Sequence, residues 1–107
     1  MPDNLNKFPN CSKALSKATN ILGDNWNLLI IKQLLSGKKR FNELMETVEG
    51  ICKSVLSDRL KKLEETEILV REISPSYPVK IEYKLSDKGE KLSGIIKQIE
   101  TFAKGNL

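Results

Sequence analysis

Apolar residues recur along this chain with two different periods, and the change of period separates a helical part from a hairpin. Between residues 12 and 22, Leu15, Ala18 and Leu22 stand at i, i+3 and i+7, which predicts a short helix capped by Ser12 or Asn10. Gly23-Asp24-Asn25 punctuates, and Asp24 or Asn25 can start a second helix from about Trp26 to Leu35. There Trp26, Leu29, Ile30 and Leu34 form one face and Leu28, Ile31 and Leu35 another, so this helix belongs at the centre of the fold. Ser36-Gly37 ends it. After the basic connector Lys38-Lys39-Arg40, Phe41, Leu44, Met45 and Val48 predict a short helix that stops near Gly50. A longer one runs from about Lys53 to Thr66, with Leu56, Leu60 and Leu63 pointing inward. Two helices joined by a tight turn containing glycine form a helix-turn-helix.

The period then falls to two. Ile68 to Ile73 is rich in β-formers, and Val79, Ile81, Tyr83 and Leu85 alternate with Lys80, Glu82 and Lys84, as in a half-buried strand. Ser74-Pro75-Ser76-Tyr77-Pro78 makes the turn, because proline cannot donate to a ladder. The result is a hairpin with a projecting tip, where Tyr77 either meets a partner surface from the tip or, the favoured reading, packs under the turn. From Ser86 a final helix begins, with Asp87 and Glu90 spaced as a capping box. Glycine inside a helix costs about 1 kcal/mol relative to alanine, so Gly89 implies close packing at that point.

Four helices, a hairpin and a last helix, with the three helices before the hairpin as the core, make a winged helix-turn-helix: an α+β, mainly helical fold, expected as one domain over residues 1–107. The N- and C-terminal helices are additions that suit dimerisation. The stripe Leu92, Ile95, Ile96, Ile99 and Phe102 extends farther than one small core needs, and such a stripe marks an interface. The expected dimer surface is Leu15, Ala18 and Leu22 with Ile95, Ile96, Ile99 and Phe102. The alternative is a stripe folded back on its own domain, which leaves a monomer.

Length and charge narrow the function. At 107 residues there is no room for a separate catalytic domain, and 18 basic against 14 acidic residues give a net charge of +4. That excess favours a polyanionic partner or serves solubility, and its distribution decides between them. Opposite the leucine stripe the longer helix carries Ser54, Ser57, Asp58, Lys61 and Glu65, flanked by Lys53 and Lys62. Small hydroxyls beside lysines suit a helix that enters the major groove of double-stranded DNA. The expected DNA contacts are Lys53, Ser54, Ser57, Asp58, Arg59, Lys61 and Lys62. Arg71 and Lys80, expected near the same end of the hairpin, would meet phosphates or the minor groove. The competing readings are a solvated helix face and a winged-helix protein–protein adaptor.

An enzyme fits poorly, since the chain has no histidine, no G-x-S-x-G and no glycine-rich phosphate loop. No metal and no cofactor are expected. Met1 to Asn10 is polar, the aliphatic run Leu28-Leu29-Ile30-Ile31 is too short to cross a bilayer, and the two cysteines form no C-x-x-C, so a reducing cytoplasm is expected. Cys11 stands at a helix start, where the dipole lowers a thiol pKa, and is the candidate thiol for sensing an oxidant or a small-molecule effector. The absence of a histidine to activate it favours an inert thiol at the dimer seam instead. Cys52 is expected to be small and buried.

Taken together, several blocks resemble the HxlR-type regulators. These are Cys11 to Leu15, Ile21-Leu22-Gly23-Asp24-Asn25-Trp26-Asn27-Leu28-Leu29-Ile30, Arg40-Phe41-Asn42-Glu43-Leu44, Gly50-Ile51 and Val55-Leu56-Ser57-Asp58-Arg59-Leu60-Lys61-Lys62-Leu63-Glu64. Val70-Arg71-Glu72, Pro78 to Leu85 and Asp87-Lys88-Gly89 continue the likeness, which spans roughly Cys11 to Ala103. The resemblance implies a bacterial or archaeal repressor or activator that binds DNA as a homodimer paired through its terminal helices. It also implies a sensing role for the cysteine at Cys11 in some members.

Overall fold

The computed structural model describes residues 12–107. Its elements are α1 (Lys13–Leu22), α2 (Asn25–Leu34), α3 (Phe41–Thr47), α4 (Lys53–Glu65), β1 (Leu69–Ser74), β2 (Lys80–Leu85), α5 (Asp87–Glu90) and α6 (Leu92–Asn106). The helix-turn-helix is α3 and α4, and the antiparallel β1–β2 hairpin is the wing. The expected α+β winged-helix architecture is the one observed.

Short polar side chains start the helices. Ser12 Oγ accepts from the Leu15 N–H at 2.9 Å, and Asp24 Oδ1 accepts from the Asn27 N–H at 3.1 Å. The turn between α3 and α4 passes through Gly50 at φ 83°, a left-handed conformation that glycine adopts without steric cost. The chain leaves α4 through Glu67, also left-handed at φ 63°, and the Ile68 N–H returns to the Leu63 carbonyl at 2.9 Å.

The last helical region departs from expectation. Ser86 is the cap, its Oγ accepting from the Gly89 N–H at 3.0 Å, so Asp87 and Glu90 do not form the capping box. A single residue, Lys91, separates α5 from α6. The close packing expected at Gly89 is present: a Cβ there would collide with the Ile68 carbonyl oxygen and stand 3.2 Å from Leu85 Cδ2.

Helix α2 sits at the centre, against α1, α3, α4, α6 and β2. Its Ile30, Ile31 and Leu34 are buried with Leu44 and Val48 of α3 and its C-cap, Leu56, Leu60 and Leu63 of α4, and Leu69 and Leu85 at the wing base. Ile96 of α6 joins this core at 6% exposure, whereas Ile95, Ile99 and Phe102 lie outside it. The apolar stripe of α6 therefore divides, and Ile96 leaves the expected dimer surface: a stripe this wide spans more than one face of a helix. Helix α1 has no buried residue; Leu15 is exposed, and Ala18 and Leu22 are half-buried.

Only the base of the wing is half-buried as expected. Toward the tip Val79 and Ile81 are exposed, and Tyr77, expected to pack beneath the turn, is fully exposed. The hairpin outruns the helices that would cover it. At its base a third chain segment joins the sheet: the Lys39 N–H donates to the Tyr83 carbonyl at 2.9 Å and the Tyr83 N–H to the Lys39 carbonyl at 2.7 Å. The radius of gyration is 15.5 Å, against about 13 Å for a compact domain of 100 residues. Wing and terminal helices account for an elongated protomer.

Candidate nucleic-acid interface

Helix α4 is amphipathic, and its two faces have separate tasks. Leu56, Leu60 and Leu63 anchor it to α2 and α3, which turns Lys53, Ser54, Ser57 and Lys61 to solvent. Among the described residues neither Lys53 nor Lys61 is in an ion pair, so both ammonium groups are available to an anion. Ser57 and Lys61 share a concavity of about 320 Å³ with Leu60, Glu64, Arg71 and Tyr83. Helix α4 and the wing thus line one hollow together.

Asp58, Arg59 and Lys62 are engaged otherwise. Asp58 Oδ2 accepts from Arg59 Nη1 at 2.7 Å and lies 3.3 Å from Lys62 Nζ, while Arg59 Nε donates to Asp24 Oδ2 at 3.0 Å. Partial burial works against the charges of Arg59 and Asp58. Hydrogen bonds to Asp58 and Asp24 outweigh it and raise the Arg59 pKa, and those from Lys62 and Arg59 lower that of Asp58. Arg59, read from sequence as a DNA contact, is instead an internal tie from α4 to the cap of α2. Its position beside Leu60 and three residues after Leu56 puts it at the edge of the inward stripe, where a long side chain reaches back to the neighbouring helix. Lys62 remains largely exposed beside its i, i+4 partner Asp58.

The wing cations are not near the same end of the hairpin. Register pairs Arg71 with Tyr83 and Lys80 with Ser74, three residue pairs or roughly 10 Å apart along a strand. The pleat puts them on opposite faces. Arg71 faces α4, with Nε 4.0 Å from Glu64 Oε2; Lys80 lies toward the tip.

Two features had no sequence signal. Lys38-Lys39-Arg40 reads as a connector, yet Lys39 clamps the wing. Lys38 Nζ stands 3.2 Å from Glu72 and 3.6 Å from Glu82, with Lys84 Nζ 2.8 Å from Glu72. These cations, Lys84 foremost, hold the Glu72 carboxyl below its ordinary pKa. Cys52, expected to be buried, is exposed at the start of α4. As the N-cap it has extended backbone, which leaves Sγ over the first turn, 3.4 Å from Ser54 Oγ. That contact, followed by the Val55 N–H, lowers its thiol pKa. Cys11 lies outside the described residues. Among those described, no group of acidic or cysteine side chains could hold a metal ion, and no helix is long and apolar enough to cross a membrane.

Comparison with known proteins gives this geometry its context. A model of the HxlR-like helix-turn-helix family matches residues 21–107. The HTH-type transcriptional regulator YodB of Bacillus subtilis (strain 168) is 41% identical over 93 residues, covering 87% of this chain and 82% of YodB. The solved structure of reduced YodB superposes with a TM-score of 0.82 at 38% identity, covering 90% of this chain and 94% of that one. YodB has also been solved after diamide treatment and with quinone bound. The redox regulator HypR in its oxidised form superposes with a TM-score of 0.81 at 29% identity, over 88% of this chain and 97% of that one.

Proposed function

The chain belongs to the HxlR-like helix-turn-helix family and is a DNA-binding transcriptional regulator, and we propose that it acts as a homodimer on an inverted-repeat operator, with α4 in the major groove. The observation that carries this reading is the outward face of α4. Lys53, Ser54, Ser57 and Lys61 are exposed together, unpaired by internal acids, above a rigid leucine stripe. Ser54 and Ser57 are short enough to let the helix approach base edges; Lys53, Lys61 and Lys62 meet phosphates.

Dimerisation is supported by apolar surface that the protomer leaves uncovered. Ile95 and Ile99 are each 46% exposed, Phe102 is 61% exposed, and α1 presents Leu15, Ala18 and Leu22. A two-fold pairing through α1 and α6 buries both surfaces and sets two α4 helices on successive major grooves, roughly 34 Å apart or a multiple of it. An oxidant or electrophile is the proposed effector. The diamide- and quinone-treated states of YodB and the redox naming of HypR support that class of input, with Cys11 as the thiol to test.

The test is DNA binding across salt concentrations. Replacing Lys53, Lys61 and Lys62 together by alanine removes these cations from both protomers and should flatten the dependence of log K on log salt by about five units and weaken all sequences alike. Ser57→Ala should alter preference among sites. Unchanged binding by the folded triple variant overturns the assignment of α4. In sedimentation the wild type should be dimeric and the Ile99→Glu, Phe102→Glu variant monomeric.

A further inference from the structure

A second hollow, of about 300 Å³, opens where α1 and the start of α2 meet the last turns of α4, on a different face of α4 from Ser57 and Lys61. We propose that it binds a small zwitterion of the α-amino acid class, an input to the protein that needs no thiol chemistry.

The observation that carries the proposal is Asn27, which forms part of the wall. Asn27 is 6% exposed, and its Nδ2 donates to the Ile21 carbonyl at 3.2 Å, which fixes the orientation of the amide. Oδ1, the other end of that amide, is enclosed and has no hydrogen-bond partner among the described residues. The other buried residues of α2 are Ile30, Ile31 and Leu34. An amide at this position is therefore costly unless a donor meets it.

Charge defines the donor. Asp24 and Glu65 line the hollow together with Arg59 and Lys62, two charges of each sign. A simple anion or cation gains little from such a wall, whereas a guest with both charges can meet both. Asp24 accepts one hydrogen bond at each oxygen, from the Asn27 N–H and from Arg59 Nε, and a carboxylate has about four acceptor positions. An ammonium beside Asp24 and Asn27 can thus donate to both. Lys62, largely exposed beside Asp58, has donors left for a carboxylate at the rim. Ile21 and Leu63 supply apolar wall for an aliphatic side chain. The volume is at the small end for ligand sites, which suits a molecule of this size.

Arg59 and Lys62 belong to α4, so a guest held here bears on the helix proposed to read DNA. An ammonium that competes with Arg59 for Asp24 loosens the tie between α4 and the cap of α2, and DNA affinity falls. This coupling rests on the reading of α4 given above; the binding itself does not.

The experiment titrates L-alanine, L-valine and L-leucine into the full chain without DNA. The readout is the fluorescence of Trp26, the chain's one tryptophan and the neighbour of Asn27. At least one should give a saturable change. Its N-acetyl and amide derivatives, which each lack one charge, should bind at least about tenfold more weakly. Lys62→Ala and Asn27→Ala should each weaken binding by a similar factor, and the exposure of Lys62 makes misfolding an inadequate explanation there. With the bound amino acid saturating, affinity for a duplex enriched by the wild type from a random-sequence library should drop about fivefold or more. Saturable binding by none of the three, equal binding of the N-acetyl derivative, or undiminished binding by Lys62→Ala overturns the site. Saturation with no change in DNA affinity overturns its coupling to α4. A wild type that binds no duplex refutes the reading of α4, and the titration without DNA still decides the site.

Discussion

Asp24 holds two structures together with one carboxylate, and substitutions can take the two roles apart. Oδ1 caps α2 through the Asn27 N–H, and Oδ2 accepts from Arg59 on the recognition helix. Loss of a cap costs about 1 kcal/mol, and an ion pair that is partly open to solvent contributes about 0.2–1 kcal/mol. Asp24→Ala removes both and should cost about 1.2–2 kcal/mol, or roughly 10 °C in Tm for a domain of this size. Asparagine caps as well as aspartate, so Asp24→Asn loses only the charge pairing and should cost less than about 1 kcal/mol. Urea denaturation at one fixed protein concentration measures both, because the stability of a dimer depends on concentration. Combining Asp24→Asn with Arg59→Gln completes a double-mutant cycle, in which coupling should be measurable and shrink in high salt. Equal damage from Asp24→Asn and Asp24→Ala would refute the division of labour. Zero coupling would return Arg59 to the DNA surface, where Arg59→Gln should then flatten the salt dependence of binding.

Three further outcomes follow from the geometry. Because Glu72 has a depressed folded-state pKa, its contribution is present above the unfolded value and lost as pH falls through the folded one. Wild-type protein should therefore keep its advantage over Glu72→Gln down to the ordinary glutamate range, about pH 4–5, and lose it as pH falls further, as followed by urea midpoints across pH. Gly89→Ala drives a methyl into the Ile68 carbonyl and should destabilise by about 2 kcal/mol or more in the same assay; a neutral result would mean the α5 junction is soft. In a Cys11→Ser background, alkylation of Cys52 by iodoacetamide should become half-maximal below the pH of an ordinary thiol, and Ser54→Ala should move it back up.

Helices and hairpin were legible because each rests on local rules. The leucine stripe of α4 and the alternation from Val79 to Leu85 state their periods directly, and Ser12 and Asp24 are caps by chemistry. What could not be read was pairing at a distance. Arg59 is a surface cation on a helical wheel, and only the approach of Asp24, 35 positions earlier, turns it inward. Alternation shows that one face of β2 is apolar, but not where the helices covering it stop, so the exposure of Ile81 and Tyr77 carries no signal in the sequence. Lys39 carries no β pattern, because its strand pairing consists of backbone hydrogen bonds to Tyr83 alone. The division of α6 between Ile96 and its neighbours likewise depends on where α2 lies.

The clamp at Lys39 makes the wing a cantilever. It is fastened at Tyr83 and braced just beyond by the Lys38, Glu72, Glu82 and Lys84 charges, and from there to Lys80 and Ser74 it overhangs without support from the helices. In a beam held at one end, a small rotation at the root becomes a large sweep at the free end. Substitutions near Lys39 or Glu72 should thus alter where the tip arrives, while those at Tyr77 alter only what it feels on arrival. Aim and touch reside in different residues, and selection can adjust one without disturbing the other.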